Sequence, residues 1–183
     1  MTIAAGAHGE GAKPHRTDRE PLTKPRGRNS AVSHPETMAR IVDIGGKPDV
    51  KRRAVATGTI LLRPATLRAV RGGPVEKGDV LASAEVAALH AMKSVWQVLP
   101  HCHPIPITAA VVAFDIEADR IVVTTKVEAT YKTGVEMEAL YGVTVALLTV
   151  WDMVKSMEKD SKGLYPSARI EDVRVVEKAK PRR

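Results

Sequence analysis

The sequence predicts an α+β fold, a ferredoxin-like βαββαβ sandwich with an antiparallel sheet and its helices on one face. From residue 52 onward, segments of strand-like and helix-like periodicity follow one another in the order β, α, β, β, α, β. The second and third of these β segments flank a short acidic turn, which indicates an antiparallel hairpin. With 183 residues, 44% of them hydrophobic, the chain can build one two-layer domain and a tail.

The first half of the folded part supplies one strand and two helices. Residues 38–44, MARIVDI, are a candidate for a short additional strand. Residues 52–62 alternate and are rich in β-forming residues, which predicts the first strand of the sheet. Residues 63–73 predict a short helix that ends at two glycines. Asp79 can cap a longer helix over residues 80–99, which a proline ends.

The second half supplies the hairpin, the longest helix and a closing strand. Residues 107–118 and 120–131 form the predicted hairpin, and residues 168–179 the last strand. The helix over 134–159 is apolar on nearly every side between residues 139 and 151. A two-layer domain covers only one face of a helix, so this pattern predicts burial against another subunit.

The chain divides into a flexible N-terminal tail, residues 1–35, and a single domain, residues 36–183. The tail is rich in Gly, Pro, Lys, Arg and Ser and lacks a periodic apolar pattern, so it cannot offset its ordering entropy by burial. The net charge of +7 suits anionic partners. The excess of positive charge in the tail is small, however, which favours a solvated segment over a nucleic-acid-binding arm.

Several features predict a cytoplasmic protein without a membrane partner. No apolar region typical of a secretory signal follows the first residue. The single cysteine cannot form an internal disulfide. The longest near-apolar run, residues 139–151, is too short to cross a bilayer.

Residues 99–108, LPHCHPIPIT, place two histidines around the only cysteine in a proline-rich loop. A metal site would need three or four convergent ligands, and the sequence has no CxxC or HxxxH partner motif. A cysteine nucleophile would need a base on its own side, yet His101 and His103 face away from Cys102 in an extended segment. A rigid loop that offers two imidazoles to an anion is the functional interpretation that we favour.

Two polar clusters near the helix starts have structural interpretations that leave one residue each unexplained. Asp79 suits a helix cap, but no cap requires a lysine at position 77. Thr133 and Glu136 fit a capping box, which does not account for Glu138.

Asp152 and Lys155 are i, i+3 neighbours on the long helix. A surface ion pair explains this spacing. The pair, however, follows directly on the apolar run, where charged groups are more often functional. Both interpretations stay open on the residues alone. Taken together, the clusters supply cations, carboxylates and imidazoles, which can bind phosphates and move protons.

Five motifs resemble those of the molybdenum-cofactor biosynthesis protein C family, the cyclic pyranopterin monophosphate synthases. The resemblance covers roughly residues 33–160, with matching order and spacing. The motifs are VDIGGKP, KGDVLASAEVAALHAMK, LPHCHPIPIT, KTGVEMEAL and VWDMVKSMEKD.

This resemblance implies a lyase of molybdenum cofactor (molybdopterin) biosynthesis. Such an enzyme converts a cyclised 7,8-dihydro-GTP (the 3',8-cyclo form) to cyclic pyranopterin monophosphate and releases pyrophosphate. The resemblance also implies a homo-oligomer, a hexamer built as a trimer of dimers, with sites shared between neighbours. It implies no resident metal or other cofactor, although Mg²⁺ can accompany the triphosphate. Nucleic acid is not an implied partner.

Residue roles follow from the same resemblance. Asp152, Lys77 and Lys155 match catalytic residues, and a lysine that acts as a base needs a lowered pKa. Arg52 matches an arginine near the phosphates, with Arg53 as its alternative. The residues that match substrate contacts lie in two short runs: His101, Cys102, His103, Glu136, Met137 and Glu138. Many members carry a further lysine in a glycine-rich C-terminal segment, for which Lys162 is the candidate here.

The competing function is a nucleic-acid-binding module, because ferredoxin-like sheets often bind RNA and the chain is basic. Such sheets stack bases on aromatic residues of the central strands. The only aromatic residues in the predicted strands between residues 52 and 131 are Phe114 and the terminal Tyr131, which argues against this alternative.

Overall fold

The fold is known from a computed structural model that describes residues 40–180. Within these residues the elements are β1 (Val50–Leu61), α1 (Pro64–Gly72), α2 (Val80–Val98), β2 (Ile107–Ile116), β3 (Arg120–Tyr131), α3 (Glu136–Glu158) and β4 (Arg169–Ala179). The strands form one antiparallel sheet in the order β2–β3–β1–β4. This is the ferredoxin-like arrangement, so the predicted fold class is confirmed. The predicted tail, residues 1–35, lies outside the described residues, and the division into tail and domain stays a prediction.

The centre of the sheet is the pair β1–β3, which runs in register from Val50 opposite Tyr131 to Leu61 opposite Arg120. One face of β1 carries small residues that are fully buried under the helices, Ala54 and Ala56 among them. Gly58 belongs to the same face. A Cβ atom at Gly58 would lie within 2.9 Å of the side chains of Val143, Leu147 and Val173. Glycine at this position therefore lets α3 pack directly against the strand.

Helix α3 packs on the sheet beside α2 and buries one of its faces completely. Its buried apolar residues follow helical spacing: Ala139, Val143, Ala146, Leu147, Val150 and Val154. On its outer side Leu148 is 55% exposed. Helix α3 is long and apolar enough to cross a membrane, but half of that apolar window is buried inside the protein, as in the core helix of a globular domain. Its remaining apolar surface is available for the predicted contact with another subunit.

Two local predictions were wrong, and one was confirmed. Residues 40–44 are not a strand, because side chains of the 101–103 loop bind their backbone in place of a partner strand. The capping box does not form. Val135 occupies the N-cap position of α3 without a side-chain capping bond, and Glu136 pairs with Lys178 of β4. Asp79 does cap α2, since its Oδ1 accepts a hydrogen bond from the Ala82 N–H at 2.9 Å.

The C-terminal end of α3 is tied to the start of α1 by a buried carboxylate. Glu158 is 1% exposed, and its Oε1 accepts a hydrogen bond from the backbone N–H of Arg63 at 3.0 Å. The Thr66 hydroxyl donates to the same oxygen. Glu158 thus binds the N-cap backbone and a first-turn hydroxyl of α1, a helix with no capping side chain of its own. This link fixes α1, and the turn that follows it, against α3.

Candidate functional site

The last turns of α3 carry an ion triad built from distant parts of the chain. Lys77, in the turn between α1 and α2, donates from Nζ to Asp152 Oδ2 at 2.7 Å and to the Asp152 carbonyl at 2.9 Å. Lys155 donates from its own Nζ to Asp152 Oδ1 at 2.7 Å. The structure therefore brings together all three residues that were predicted to be catalytic.

The electrostatics of the triad favour an anionic partner. Hydrogen bonds from Lys155 and Lys77 lower the pKa of Asp152 to about 2, so this carboxylate is ionised at neutral pH. The hydrogen bond between Lys155 and Asp152 also raises the pKa of Lys155 above its ordinary value. Lys155 is accordingly an ammonium group in the single chain, suited to hold a phosphate rather than to act as a base. Two lysines against one aspartate leave the triad with one excess positive charge.

A cavity of about 450 Å³ adjoins the triad. Its walls are mostly apolar, with Asp152 and Lys155 as its charged members, and the other lining residues are Leu148, Trp151 and Ile170. Trp151 meets the ring of Tyr165 edge to face, with ring centroids 5.8 Å apart and an interplanar angle of 64°. A mostly apolar cavity with few convergent polar groups is typical of small-molecule sites.

The start of α3 carries a second cluster, around a smaller cavity of about 120 Å³. It gathers most of the residues that were predicted to contact substrate. The lining residues come from the 101–105 loop and from the start of α3: His101, Cys102, His103, Ile105, Thr133, Gly134, Met137 and Glu138.

Both histidines of this cluster bind the extended segment 40–44. His101 Nδ1 lies 2.8 Å from the Arg40 carbonyl oxygen, and His103 Nε2 lies 2.8 Å from that of Val42. Because a carbonyl oxygen accepts only, each of these ring nitrogens must carry the proton. The second nitrogen of each neutral ring can then accept a proton or a hydrogen bond. The two bonds also fix the orientation of the loop.

Glu138 forms the floor of the second cavity and is only 2% exposed. Its Oε2 has no hydrogen-bond partner among the described residues. Burial, with a smaller contribution from the nearby charge of Glu136, raises the pKa of Glu138 to about 7. Burial, together with Glu138, also raises the pKa of Cys102. A protonated thiol is a poor nucleophile, so Glu138 is the group of this cluster best matched to proton transfer near neutral pH.

Cations gather at the same end of the sheet. Arg52 donates to the carbonyl oxygens of Tyr131 and Lys132, both at 3.3 Å. It lines a cavity of about 330 Å³ together with Lys51, Arg53, Glu128, Ala179 and Lys180. The predicted arginine and its alternative therefore both border this cavity.

Lys178 is a cation that the sequence analysis missed. It pairs with Glu136 at the start of α3, so the end of β4 adds a lysine beside the second cluster. Lys162, the predicted C-terminal cation, lies instead in the turn after α3, where its backbone N–H bonds to Asp160. It lines neither cluster's cavity. Strand alternation did not reveal Lys178, since most of β4 is solvent-exposed.

The two clusters lie at opposite ends of α3. Glu138 and Asp152 are fourteen residues apart on this one helix, which corresponds to about 21 Å. A single chain therefore brings the predicted site residues together in two groups and not in one.

Comparison with known proteins assigns the chain to a family. The model of the MoaC family matches residues 41–181, which include both clusters and Arg52. This chain belongs to the MoaC family.

Relatives within the MoaC family are similar over most of their length. A protein of Pyrococcus furiosus is 53% identical over 148 residues, 81% of this chain and 95% of its own, and is named a probable cyclic pyranopterin monophosphate synthase. A protein of Methanoregula boonei with the same name is 58% identical over 142 residues, 78% of this chain and 92% of its own. A third, from Methanothermobacter thermautotrophicus, is 52% identical over 145 residues, which are 79% of this chain and 91% of its own. It is named a probable cyclic pyranopterin monophosphate synthase accessory protein.

The described residues of this member of the MoaC family offer no cluster of metal ligands. Within residues 40–180, no three His, Cys, Asp or Glu side chains are grouped so that they could hold a metal ion. The two histidine rings of the second cluster are instead oriented by backbone carbonyls.

Proposed function

We propose that this chain is a cyclic pyranopterin monophosphate synthase. It converts cyclised 7,8-dihydro-GTP to cyclic pyranopterin monophosphate and releases pyrophosphate, as a lyase of molybdenum cofactor biosynthesis. The observation that carries the proposal is the pair of clusters on α3, a cationic triad at one end and a buried, protonatable carboxylate at the other. Both lie within the region that matches the MoaC family.

The chemistry of the reaction suits these groups. Opening the five-membered ring, closing the pyrazine ring and forming a cyclic phosphate each require proton transfers beside a highly charged triphosphate. Glu138 has a pKa of about 7 and can both release and accept a proton at neutral pH. Lys77 and Lys155 carry the positive charge that stabilises phosphate oxygens, and Asp152 orients both of them. His101 and His103, with Met137, Glu136 and Arg52, contribute the substrate contacts.

Lys178 is proposed as the C-terminal cation of the site, in place of Lys162. The support for it is its ion pair with Glu136, beside Glu138 and the histidine loop.

The active site in this proposal forms between two copies of the chain. A group that moves a proton must come within about 3 Å of it, directly or through one water. Clusters about 21 Å apart on one helix cannot both reach the same reacting atoms. The triad of one subunit therefore faces the histidine and glutamate cluster of a neighbour. The oligomer is a hexamer, built as a trimer of dimers, and the apolar outer side of α3 around Leu148 supports such contacts.

The proposal also covers cofactors, cellular location and other partners. The enzyme has no resident metal or organic cofactor, and Mg²⁺ arrives with the triphosphate of the substrate. It acts in the cytoplasm and needs neither nucleic acid nor membrane.

The test is turnover by the purified full-length chain. Incubation with cyclised dihydro-GTP should yield cyclic pyranopterin monophosphate and pyrophosphate in equal amounts, and Asp152→Asn should yield almost none. The proposal would be overturned if the chain formed no product from a substrate preparation that another synthase does convert. The same experiment separates a catalyst from an accessory protein, the name that one relative bears. Salt-sensitive RNA binding without turnover would favour the nucleic-acid-binding alternative instead.

A further inference from the structure

Trp151 has a position that the proposed catalytic groups do not explain. Aromatic residues are scarce in this chain, with two Trp, three Tyr and one Phe. Trp151 nevertheless directly precedes Asp152 and lines the cavity beside the triad. The ring of Tyr165 packs against it edge to face, at a centroid distance of 5.8 Å. Such an edge-to-face contact holds the indole in one orientation, which a binding surface requires.

The remaining walls of this cavity determine what it can hold. Leu148 and Ile170 are apolar, and their side chains bring no hydrogen-bonding group to the lining of the cavity. The triad supplies positive charge at one side only. The cavity volume, about 450 Å³, lies in the range of small-molecule sites. A fused heterocycle with one flat ring and with phosphates attached matches this combination, with its flat ring on the apolar wall and its charge toward the lysines.

We propose that Trp151 is the residue that recognises the ring system of the substrate. The fused rings pack on the face of the indole, and the phosphate-bearing side of the molecule is directed toward Lys77 and Lys155. Tyr165 acts as a positioning residue that holds the indole. This inference rests on the proposed function and adds a specificity determinant to it.

Two substitutions of Trp151 separate ring recognition from mere packing. Trp151→Phe keeps a flat aromatic face, whereas Trp151→Leu keeps apolar volume and loses that face. Aromatic stacking of a base typically changes affinity by about 5- to 100-fold when removed. We expect Trp151→Leu to raise KM for cyclised dihydro-GTP by about this factor, and Trp151→Phe to stay within about threefold of the wild type. Trp96→Leu is the matched control, since Trp96 is 43% exposed on α2 and should leave KM unchanged.

Inorganic triphosphate provides a probe that has the charges of the substrate but no ring. As a competitive inhibitor it should have the same inhibition constant for the wild type, Trp151→Phe and Trp151→Leu. An unchanged KM in Trp151→Leu would overturn the inference. Equal loss of substrate and triphosphate affinity in Trp151→Leu would also overturn it, because the substitution would then have damaged the site as a whole.

Fluorescence gives a readout that does not depend on a substituted site. In Trp96→Phe, Trp151 is the only tryptophan of the chain. Rapid mixing with cyclised dihydro-GTP should quench its emission before product forms, and inorganic triphosphate should leave it nearly unchanged. If turnover is normal but substrate binding does not change the emission of Trp151, the inference would be overturned and the proposed function would still stand. Emission that changes only with protein concentration would mean that a second copy covers Trp151, which equally overturns it. Absence of turnover in the wild type would instead contradict the proposed function.

Discussion

Asp152 is held ionised by two lysines that reach it from different parts of the chain. Lys155 lies one turn further along α3, and Lys77 lies 75 positions earlier in the sequence. All three side chains are substantially exposed, so the pairs themselves contribute little to stability. Their arrangement is therefore better explained by the anion and proton chemistry that they can perform.

Substitution of the triad should reduce turnover far more than stability. Asp152→Asn and Lys155→Ala should each lower kcat by about two to four powers of ten, the usual range for groups that transfer protons or stabilise charge at the reacting atoms. Thermal midpoints should stay close to that of the wild type. Lys159→Ala is the control, because Lys159 is exposed one turn beyond Lys155. Equal losses of activity in all three variants would point to damage of the helix end and not to catalysis.

Glu138 should make stability depend on pH in a direction opposite to that of a paired carboxylate. Its pKa is raised in the folded protein, from an ordinary 4.5 to about 7, so the folded state binds this proton more tightly than the unfolded state. Stability should thus fall as pH rises from 4.5 to 7, by up to about 3 kcal/mol, and then level off. Glu138→Gln should remove this loss.

Denaturant unfolding at pH 5 and pH 8, at one protein concentration, measures the effect. The difference in unfolding free energy between the two pH values should be larger for the wild type than for Glu138→Gln. Equal pH dependence in the two proteins would mean that Glu138 titrates as an ordinary carboxylate.

Helix α3 is the element that organises the molecule, since it packs on the sheet and carries a cluster at each end. Its approach to β1 depends on Gly58, where a side chain would meet Val143, Leu147 and Val173. Its C-terminal end is bound to α1 through Glu158. Because Lys77 follows α1 in the chain, this link helps to hold Lys77 near Asp152.

Gly58→Ala should therefore destabilise the protein by about 1–3 kcal/mol, the usual cost of overpacking a dense core. Chemical denaturation measures this change. Gly72→Ala is the matched control, because apart from its chain neighbours and the backbone of its own helix no described atom lies within 4 Å of a Cβ at that position. It should be neutral or slightly stabilising. If Gly58→Ala were equally harmless, α3 would not be in direct contact with the strand.

The elements themselves could be predicted from the sequence because their signals are local. The periods of the apolar residues, Asp79 as a cap and the short turn of the hairpin each lie within a few residues of the structure they specify. The strand expected at 38–44 and the capping box at Thr133 failed because distant groups bind those segments. Glu158 and Lys178 went unnoticed for the same reason, since their partners lie 95 positions away and on another element.

The site was predictable as a set of residues but not as an arrangement in space. Spacing identified the Asp152–Lys155 pair and made Lys77 and Glu138 stand out as unexplained. The 14-residue spacing on the predicted helix separates Glu138 from Asp152, but no local pattern could reveal that the two residues line separate cavities.

At the scale of the whole molecule, we expect the proposed activity not to need the N-terminal segment. Deletion of residues 1–32 should leave turnover and thermal midpoint nearly unchanged, because this part of the sequence has no core pattern and precedes the MoaC match, which begins at residue 41. Thermal unfolding and steady-state kinetics of the shortened chain test this. A large loss of either property would mean that the first 32 residues take part in the folded domain.

The central claim is that each active site draws its triad from one chain and its histidine and glutamate cluster from another. Mixing two inactive variants tests it most directly. Asp152→Asn and Glu138→Gln are dissociated together in equal amounts and reassembled, with wild type treated identically as the control. Since each site would combine two independently chosen chains, about a quarter of the sites should be intact and the mixture should regain about a quarter of wild-type turnover. A mixture as inactive as either variant alone, while the treated wild type recovers, would contradict the claim.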